Sequence, residues 1–229
     1  MEDPRLEEIG QWGDITAWKV DGSIVRSYYD EDFTNFGQHY RFDFIPENEF
    51  WLDSEAGDDE HLFYIDHLLI EHRLMAQGMN YKKAITIADK HELRMRRKAQ
   101  GVVVGIRKPN PELLSELRLK SLGISLYGLH VWKVDGDLVR DNFDIDFTEG
   151  GHWRVYKYVP KGEVWIDDDL FDDEEPYVIL HELSEELKMG KGLKYLKAHS
   201  EISKVELMCR HNPELLSGEL EKVGWKTNE

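Results

Sequence analysis

A histidine and two glutamates lie close together in the stretch His181-Glu182-Leu183-Ser184-Glu185. His181 and Glu185 are four residues apart, so on a helix both side chains project from one face, one turn apart. A second helix is predicted downstream, and His199 and Glu206 lie seven residues apart on one face of it. Imidazole and carboxylate groups are the ligands by which proteins bind zinc and several other divalent metal ions.

A turn at Gly192 would bring these two predicted helices side by side. Glycine suits the C-terminus of a helix, and Glu185 and His199 each lie seven residues from this one. The two pairs therefore face each other across an antiparallel hairpin. We predict that His181, Glu185, His199 and Glu206 converge on one divalent metal ion, with zinc as the expected cofactor.

The residues around His181 resemble the start of the zincin metallopeptidase motif. In that family, the motif H-E-x-x-H supplies two zinc-binding histidines, and the glutamate after the first histidine is the general base. The resemblance implies that His181 is a zinc ligand, that Glu182 is the catalytic base, and that Glu185 replaces the second histidine. It covers these five residues and a downstream ligand. It implies a metal-dependent hydrolase, with a peptide as the expected substrate.

The chain carries its own comparison, because it contains an internal duplication. Shifted by 114 positions, residues 18–96 match residues 132–210 without a gap, and 32 of the 79 aligned residues are identical. Self-similarity at a fixed offset indicates a tandem repeat. We expect two domains, an N-terminal repeat over 1–114 and a C-terminal repeat over 115–229, related by a pseudo-twofold axis.

The two repeats differ where the predicted chemistry lies. Three of the four predicted ligands are retained in the N-terminal repeat, as His67, Glu71 and Glu92. The fourth ligand and the predicted base are replaced there by apolar residues, Ile85 and Leu68. The N-terminal repeat is therefore predicted to hold a degenerate site, and the C-terminal repeat the active one.

Other histidines are weaker candidates for function. His152 follows Gly150-Gly151, and glycines allow the backbone to approach a ligand closely, so His152 is a candidate for orienting a substrate. The alternative is a glycine-permitted turn before a strand. His72 and His91 have no counterparts in the C-terminal repeat, and they leave open a separate, non-catalytic metal site.

A structural interpretation of the same residues also stays open. Glutamates on a helix often form a solvated face, and a histidine conserved between repeats could serve an inter-helix hydrogen bond. A closed site with four protein ligands and no water would be structural rather than catalytic.

The elements that must position these residues follow one plan in both repeats. Asp21-Gly22 and Asp135-Gly136 stand between short β-prone runs, which predicts a β-hairpin in each repeat. Alternating or continuous apolar residues predict two more strands per repeat, over 40–45, 50–52, 153–159 and 164–166.

Helical periodicity then replaces the strand pattern. It predicts a helical hairpin in each repeat, with helices over 61–77 and from 81, and over 175–191 and from 195. Asn110-Pro111 and Asn212-Pro213 predict a third helix start with asparagine as N-cap, and residues 101–106 an added strand or a linker. The predicted fold class is α+β, in which each unit is a small antiparallel sheet followed by a helical hairpin.

Composition limits the partners and the location. The chain has 46 acidic and 29 basic residues and a formal net charge of -17, which disfavours direct binding to nucleic acid. No stretch reaches the roughly 20 apolar residues of a membrane span, and no signal peptide is expected. With Cys209 alone, no intramolecular disulfide can form, so the expected location is the cytoplasm.

The acidity also supports an alternative function. The chain would then be a non-catalytic interaction protein, such as an inhibitor or a nucleic-acid mimic, with a protein partner. Its binding surface would be the acidic run Asp167, Asp168, Asp169, Asp172 and Asp173.

Overall fold

The structure is a computed structural model that describes residues 3–99 and 109–226. The chain divides into two compact units, unit 1 over Met1–Ile106 and unit 2 over Arg107–Glu229. This boundary falls earlier than the predicted 114/115, because the helix that begins at Pro111 packs Leu113 and Leu117 into a core of unit 2. The predicted added strand or linker over 101–106 lies outside the described residues.

Unit 1 consists of a four-stranded sheet followed by two long helices. Its elements are β1 (Arg5–Trp12), β2 (Ile15–Val20), α1 (Gly22–Tyr28), β3 (Phe36–Gln38), β4 (Glu49–Asp53), α2 (His61–Ala76) and α3 (Tyr81–Ala99). The strand order is β1-β2-β4-β3. The central strands β2 and β4 run parallel and the other two pairs antiparallel, so the sheet is mixed rather than antiparallel throughout. A parallel pair needs a crossover connection, which contains α1 here.

Unit 2 repeats this plan with a helix added at each end. Its elements are α4 (Pro111–Leu117), β5 (Arg118–Ile124), β6 (His130–Val134), α5 (Gly136–Asn142), β7 (Gly150–His152), β8 (Glu163–Asp167), α6 (Glu175–Gly190), α7 (Tyr195–His211) and α8 (Leu216–Lys222). The strand order β5-β6-β8-β7 and the parallel central pair are those of unit 1. The α+β class and the two similar units are therefore as predicted.

The two Asp-Gly pairs begin helices, so the predicted β-hairpins are wrong. The side chains of Asp21 and Asp135 each accept a hydrogen bond from the backbone N–H three residues further on, at 3.0 and 2.8 Å. Aspartate is a strong N-cap because it satisfies a free N–H of the first turn. An Asp-Gly pair after a strand can thus start a helix as well as a turn.

The glycine after each cap is required by close packing. A Cβ atom on Gly136 would overlap the carboxylate of Asp167, which ends β8, and Gly22 stands in the same relation to the end of β4. Asp167 is held there by a buried ion pair of 2.6 Å with Arg140 of α5. The short helix therefore lies directly against the end of the neighbouring strand.

The strands predicted over 40–45 and 153–159 are also wrong. Both segments form turns that follow the three-residue strands β3 and β7. In unit 1 the backbone N–H groups of Arg41 and Phe42 both donate to the carbonyl of Gln38, at 3.0 Å. Phe42 is buried by its turn and not by strand pairing, whereas Tyr40 is exposed.

The helical hairpins are as predicted. Helices α2 and α6 end just before Gly78 and Gly192, whose φ values of +87° and +97° belong to the left-handed region that ends many helices. The predicted cap Asn110 accepts from the backbone N–H of Leu113 at 2.8 Å. The predicted cap Asn212 makes no such bond, because α8 is preceded by a single 3-10 turn.

Each sheet packs apolar residues on both faces, as strand β8 illustrates. Val164 and Ile166 join Leu180 and Leu183 of α6 in one buried cluster, whereas Trp165 between them belongs to another. This alternation is the two-residue period of a strand. Within residues 3–99 and 109–226, no helix combines the length and the apolar character needed to cross a bilayer.

A tryptophan covers a glycine of the edge strand in each unit, but it comes from different places in the chain. In unit 1 the ring of Trp12, at the end of β1, lies 3.2 Å from where a Cβ of Gly10 would be. In unit 2 the ring of Trp225, after α8, takes the same place over Gly123 at 3.2 Å. The core of unit 2 therefore includes residues that follow its helical hairpin.

Candidate metal centre

Helices α6 and α7 bring together three of the four predicted metal ligands. The Nε2 atom of His181 lies 3.1 Å from Nδ1 of His199 and 3.7 Å from Oε2 of Glu185. The third distance, from Nδ1 of His199 to Oε2 of Glu185, is 3.1 Å. The three atoms belong to a group whose spacing could hold a metal ion.

The size of this triangle matches tetrahedral zinc. Zinc bonds of about 2.0–2.1 Å to nitrogen and oxygen place tetrahedral ligand atoms about 3.3 Å apart, which is also about the mean edge of this triangle. A point about 2.05 Å from all three atoms lies about 0.7 Å outside their plane, one third of the bond length, as a tetrahedron requires. The mean spacing of the three atoms is therefore compatible with tetrahedral zinc.

Glu206 contacts the other nitrogen of His181, so it does not complete the predicted four-ligand set. Its Oε2 atom lies 2.7 Å from Nδ1 of His181. The reason is helix geometry. Seven residues advance a helix by about 10 Å, so the Glu206 carboxylate lies too far along α7 to reach the triangle formed at Nδ1 of His199. A carboxylate on Nδ1 fixes the orientation of the imidazole and leaves Nε2 for a metal ion.

A buried ion network anchors Glu206 in turn. Arg210 donates to Oε1 of Glu206 at 2.9 Å and to Glu174 at 2.9 Å. Burial raises the pKa of Glu206, but the hydrogen bond and charge of His181 and the charge of Arg210 outweigh it and lower the pKa to about 2. The carboxylate is therefore ionised and able to accept a hydrogen bond from Nδ1 of His181.

His152 is a buried partner of Glu185. It is 0% exposed, so it cannot meet a substrate as predicted. Its Nδ1 accepts from the backbone N–H of Arg154 at 3.2 Å, so Nε2 carries the proton and donates to Oε1 of Glu185 at 3.0 Å. This leaves Oε2 of Glu185 facing His181 and His199. His152 therefore positions a candidate ligand from the strand behind it.

Charge in the group is balanced between carboxylates and imidazoles. Burial lowers the pKa of His181, but Glu185 and Glu206 outweigh it and raise the pKa well above its ordinary value. Burial raises the pKa of Glu185, and hydrogen bonds from His152, His181 and His199 lower it well below its ordinary range. In the absence of a metal ion the proton therefore sits on imidazole, and a metal ion would replace it.

Glu182 stands beside the group without taking part in its hydrogen bonds. Within the described part of the chain it makes no hydrogen bond or ion pair, whereas Glu185 and Glu186 of the same helix both do. Burial raises its pKa, and the nearby charge of His181 partly opposes this rise. The residue as a whole is partly exposed.

Unit 1 keeps the supporting network and loses the centre. His67 Nδ1 lies 2.8 Å from Glu92, and Arg96 joins Glu92 to Glu60, as Arg210 joins Glu206 to Glu174. The amide of Gln38 donates to Glu71 at 2.6 Å in place of His152. The matching Arg and Glu are identical in the repeats, and this identity is a signal from which the network could have been predicted.

Unit 1 has apolar residues at the positions that correspond to His199 and Glu182. Phe36 stands where unit 2 has Gly150, and its ring lies 5.0 Å from that of His67. In unit 2 the glycine leaves space that Glu182 uses, since a Cβ on Gly150 would lie 3.2 Å from Cγ of Glu182. The two positions therefore differ together between the units: unit 2 has Gly150 with Glu182, and unit 1 has Phe36 with Leu68.

The acidic run over residues 167–169 and the histidines His72 and His91 are less suited to binding a metal ion. Carboxylate atoms of Asp167, Asp168 and Asp169 lie within 4.8 Å of one another, but Arg140 already supplies a positive charge at 2.6 Å from Asp167. No group of metal-capable residues within 3–99 and 109–226 includes His72 or His91.

Comparisons of the chain and its fold with known proteins match no family model, no curated protein and no solved structure. The function must therefore be argued from the chemistry of the site.

Proposed function

We propose that unit 2 binds one divalent metal ion, zinc, through Nε2 of His181, Oε2 of Glu185 and Nδ1 of His199. The observation that carries this proposal is the triangle of these three atoms, whose mean edge is that of a tetrahedral zinc site. Glu206 fixes the orientation of His181 and His152 that of Glu185 by hydrogen bonds, as partners of metal ligands commonly do. The fourth position has no protein ligand among the described residues.

We further propose that the centre is hydrolytic. Zinc with three protein ligands and an open position lowers the pKa of a bound water molecule to about 7. Glu182 follows the first ligand, as the general base does in the zincin motif, and its carboxylate is free to accept a proton. A peptide is the proposed substrate because of that resemblance. A reducing cytoplasm is the proposed location, since the thiol of Cys209 is free and buried.

The alternative, an acidic interaction protein, has less support from the structure. Of the five aspartates proposed for its surface, Asp167 is 2% exposed and is paired with Arg140. Asp168, Asp172 and Asp173 are exposed. Exposed carboxylates are common on acidic proteins and identify no partner.

Metal binding is tested by titrating zinc chloride into the EDTA-treated full chain in a calorimeter. We expect one ion per chain, and no binding after His199→Ala. Ile85→Ala is the matched control, because Ile85 occupies the equivalent position in unit 1 and should leave binding unchanged. A chain that binds no zinc, or one in which His199→Ala binds as the unmodified chain does, would overturn the proposal.

The hydrolytic step is tested with Glu182→Gln and a peptide library analysed by mass spectrometry. The variant should keep zinc and lose turnover, because the amide cannot accept the proton. X-ray absorption should show an oxygen from water among four ligands. A fourth protein ligand with no water would remove the hydrolase and leave the metal site.

A further inference from the structure

A short helix covers part of the helical hairpin in unit 2. Leu180, Leu183 and Leu187 of α6 and Val205 of α7 pack in one cluster with Leu216 and Leu220 of α8. The short helix α8 therefore packs against α6, and the 3-10 turn before it packs against α7.

The equivalent groove of unit 1 has no such cover among the described residues. The Asn-Pro-Glu-Leu-Leu sequence that precedes α8 recurs at the start of α4, but α4 packs Leu113 and Leu117 into a core of unit 2. A surface cavity lies instead between α2 and α3, lined on α2 by Leu69, Ile70 and Arg73. We call it the α2–α3 groove.

Two residues of this groove differ from what solvent exposure alone would favour. Ile70 and Ile87 line it, where unit 2 has the polar residues Ser184 and Glu201. Ile87 is 43% exposed. Four other lining positions are apolar in unit 2 and polar here, as solvation favours, so the apolar residues gained at these two positions point to a ligand that covers them.

The rim of the groove is cationic on a strongly acidic chain. Arg73, Lys90, His91 and Arg94 line it, and only Asp66 is acidic. Within the described residues none of Arg73, Lys90 and Arg94 forms an ion pair or a side-chain hydrogen bond. Two of these positions, those of Arg73 and Arg94, are Leu187 and Met208 in unit 2. Apolar floor and cationic rim together select a ligand that is apolar on one side and acidic at its edges.

We propose that the α2–α3 groove binds an acidic amphipathic helix of a partner protein. Unit 2 offers a precedent, because α8 packs leucines four residues apart, Leu216 and Leu220, in one cluster with Leu183 and Leu187 of α6. An amphipathic helix laid in a groove between two helices is a recurrent form of peptide recognition. The three unpaired cations set the charge of the incoming helix. This inference does not depend on the metal centre.

The probe is a labelled synthetic peptide with the sequence of residues 212–225, which contains three glutamates and one lysine. Its binding to the full chain is measured by fluorescence anisotropy in EDTA, so that metal binding in unit 2 does not contribute to the result. We expect saturable binding that weakens as salt rises. Arg73→Glu with Arg94→Glu should raise Kd at least tenfold, and Ile87→Asp should do the same. Lys82→Glu with Lys83→Glu, at exposed positions of α3 outside the groove, is the charge-matched control for the double variant.

Three results would overturn the proposal. The first is no saturable binding of the peptide. The second is an unchanged Kd for Ile87→Asp, which would mean that the apolar floor is not used. The third is tighter binding of a DNA or RNA oligonucleotide than of the peptide with the same dependence on Arg73 and Arg94, because the rim would then serve phosphate groups.

Discussion

His152 and Glu185 are joined by a hydrogen bond of 3.0 Å, although 33 positions separate them in the sequence. The histidine ends the short strand β7 and the glutamate lies on α6, so the bond ties a candidate metal ligand to the sheet. In unit 1 the amide of Gln38 makes the corresponding bond to Glu71 at 2.6 Å. The same carboxylate is held in both units by different donors.

This relationship predicts how zinc binding depends on residue 152. His152→Ala removes the donor, so Glu185 loses its fixed orientation, and zinc affinity should fall by about 10–100-fold. His152→Gln should retain affinity within a few-fold, since Gln38 supports Glu71 in this way. Calorimetric titration with zinc measures both. Equal loss in the two variants would show that the imidazole does more than donate to Glu185.

A metal site should be transferable to unit 1. His67 and Glu71 are already present, and Ile85→His supplies the residue that corresponds to His199. We expect the stoichiometry of zinc to rise from one to two ions per chain in the variant, measured by metal analysis after dialysis. Ile85→Gln is the control of similar polarity, and it should bind one ion. A folded Ile85→His variant that still binds one ion would contradict the claim that this residue alone completes the triangle.

The buried His67 should make stability depend on pH. Burial lowers its pKa, but the carboxylates of Glu71 and Glu92 outweigh this effect and raise the pKa to about 9. Histidine in an unfolded chain titrates near pH 6.5. Because the folded pKa is the higher one, the stabilisation is complete below about pH 6.5 and is lost as the pH rises through about 9.

His67→Gln should therefore lower the free energy of unfolding more at pH 6 than at pH 9.5, by on the order of 3 kcal/mol. Urea unfolding at both pH values measures the difference, with His91→Gln on the adjacent helix as the control. An equal loss at the two pH values would show that the imidazole stabilises unit 1 by packing and not by its charge.

The close contact at Gly136 should make this position intolerant of any side chain. Gly136→Ala would push a methyl group into the carboxylate of Asp167, and we expect a loss of about 1–3 kcal/mol in unfolding free energy. Gly218→Ala is the matched control, because no atom lies within 4 Å of its Cβ position in α8, and it should stabilise the chain by up to about 1 kcal/mol. A neutral Gly136→Ala would mean that α5 can move away from β8 without cost.

The helices and the meeting of His181, Glu185 and His199 could be predicted because they depend on local geometry. A 3.6-residue period and a glycine turn fix which positions of two adjacent helices face each other. The parallel pairing of β6 with β8 and the support from His152 depend on contacts between distant segments, which no local pattern records. Strand β1 was not predicted, since an edge strand with Arg5, Glu7 and Glu8 shows little apolar alternation.

The two tryptophans that cover the edge-strand glycines imply that the two units complete their cores at different times during synthesis. Gly10 meets Trp12 as soon as β1 emerges, whereas Gly123 must wait for Trp225, about a hundred residues later. At about 5–20 residues per second, that interval lasts on the order of ten seconds. In the later part of this interval, after α6 has been made and before α8 has, the apolar side chains of α6 that α8 later covers stand uncovered. Unit 1 by then has every described residue of its own core. The nascent second unit, rather than the first, is then the one exposed to chaperones and to aggregation.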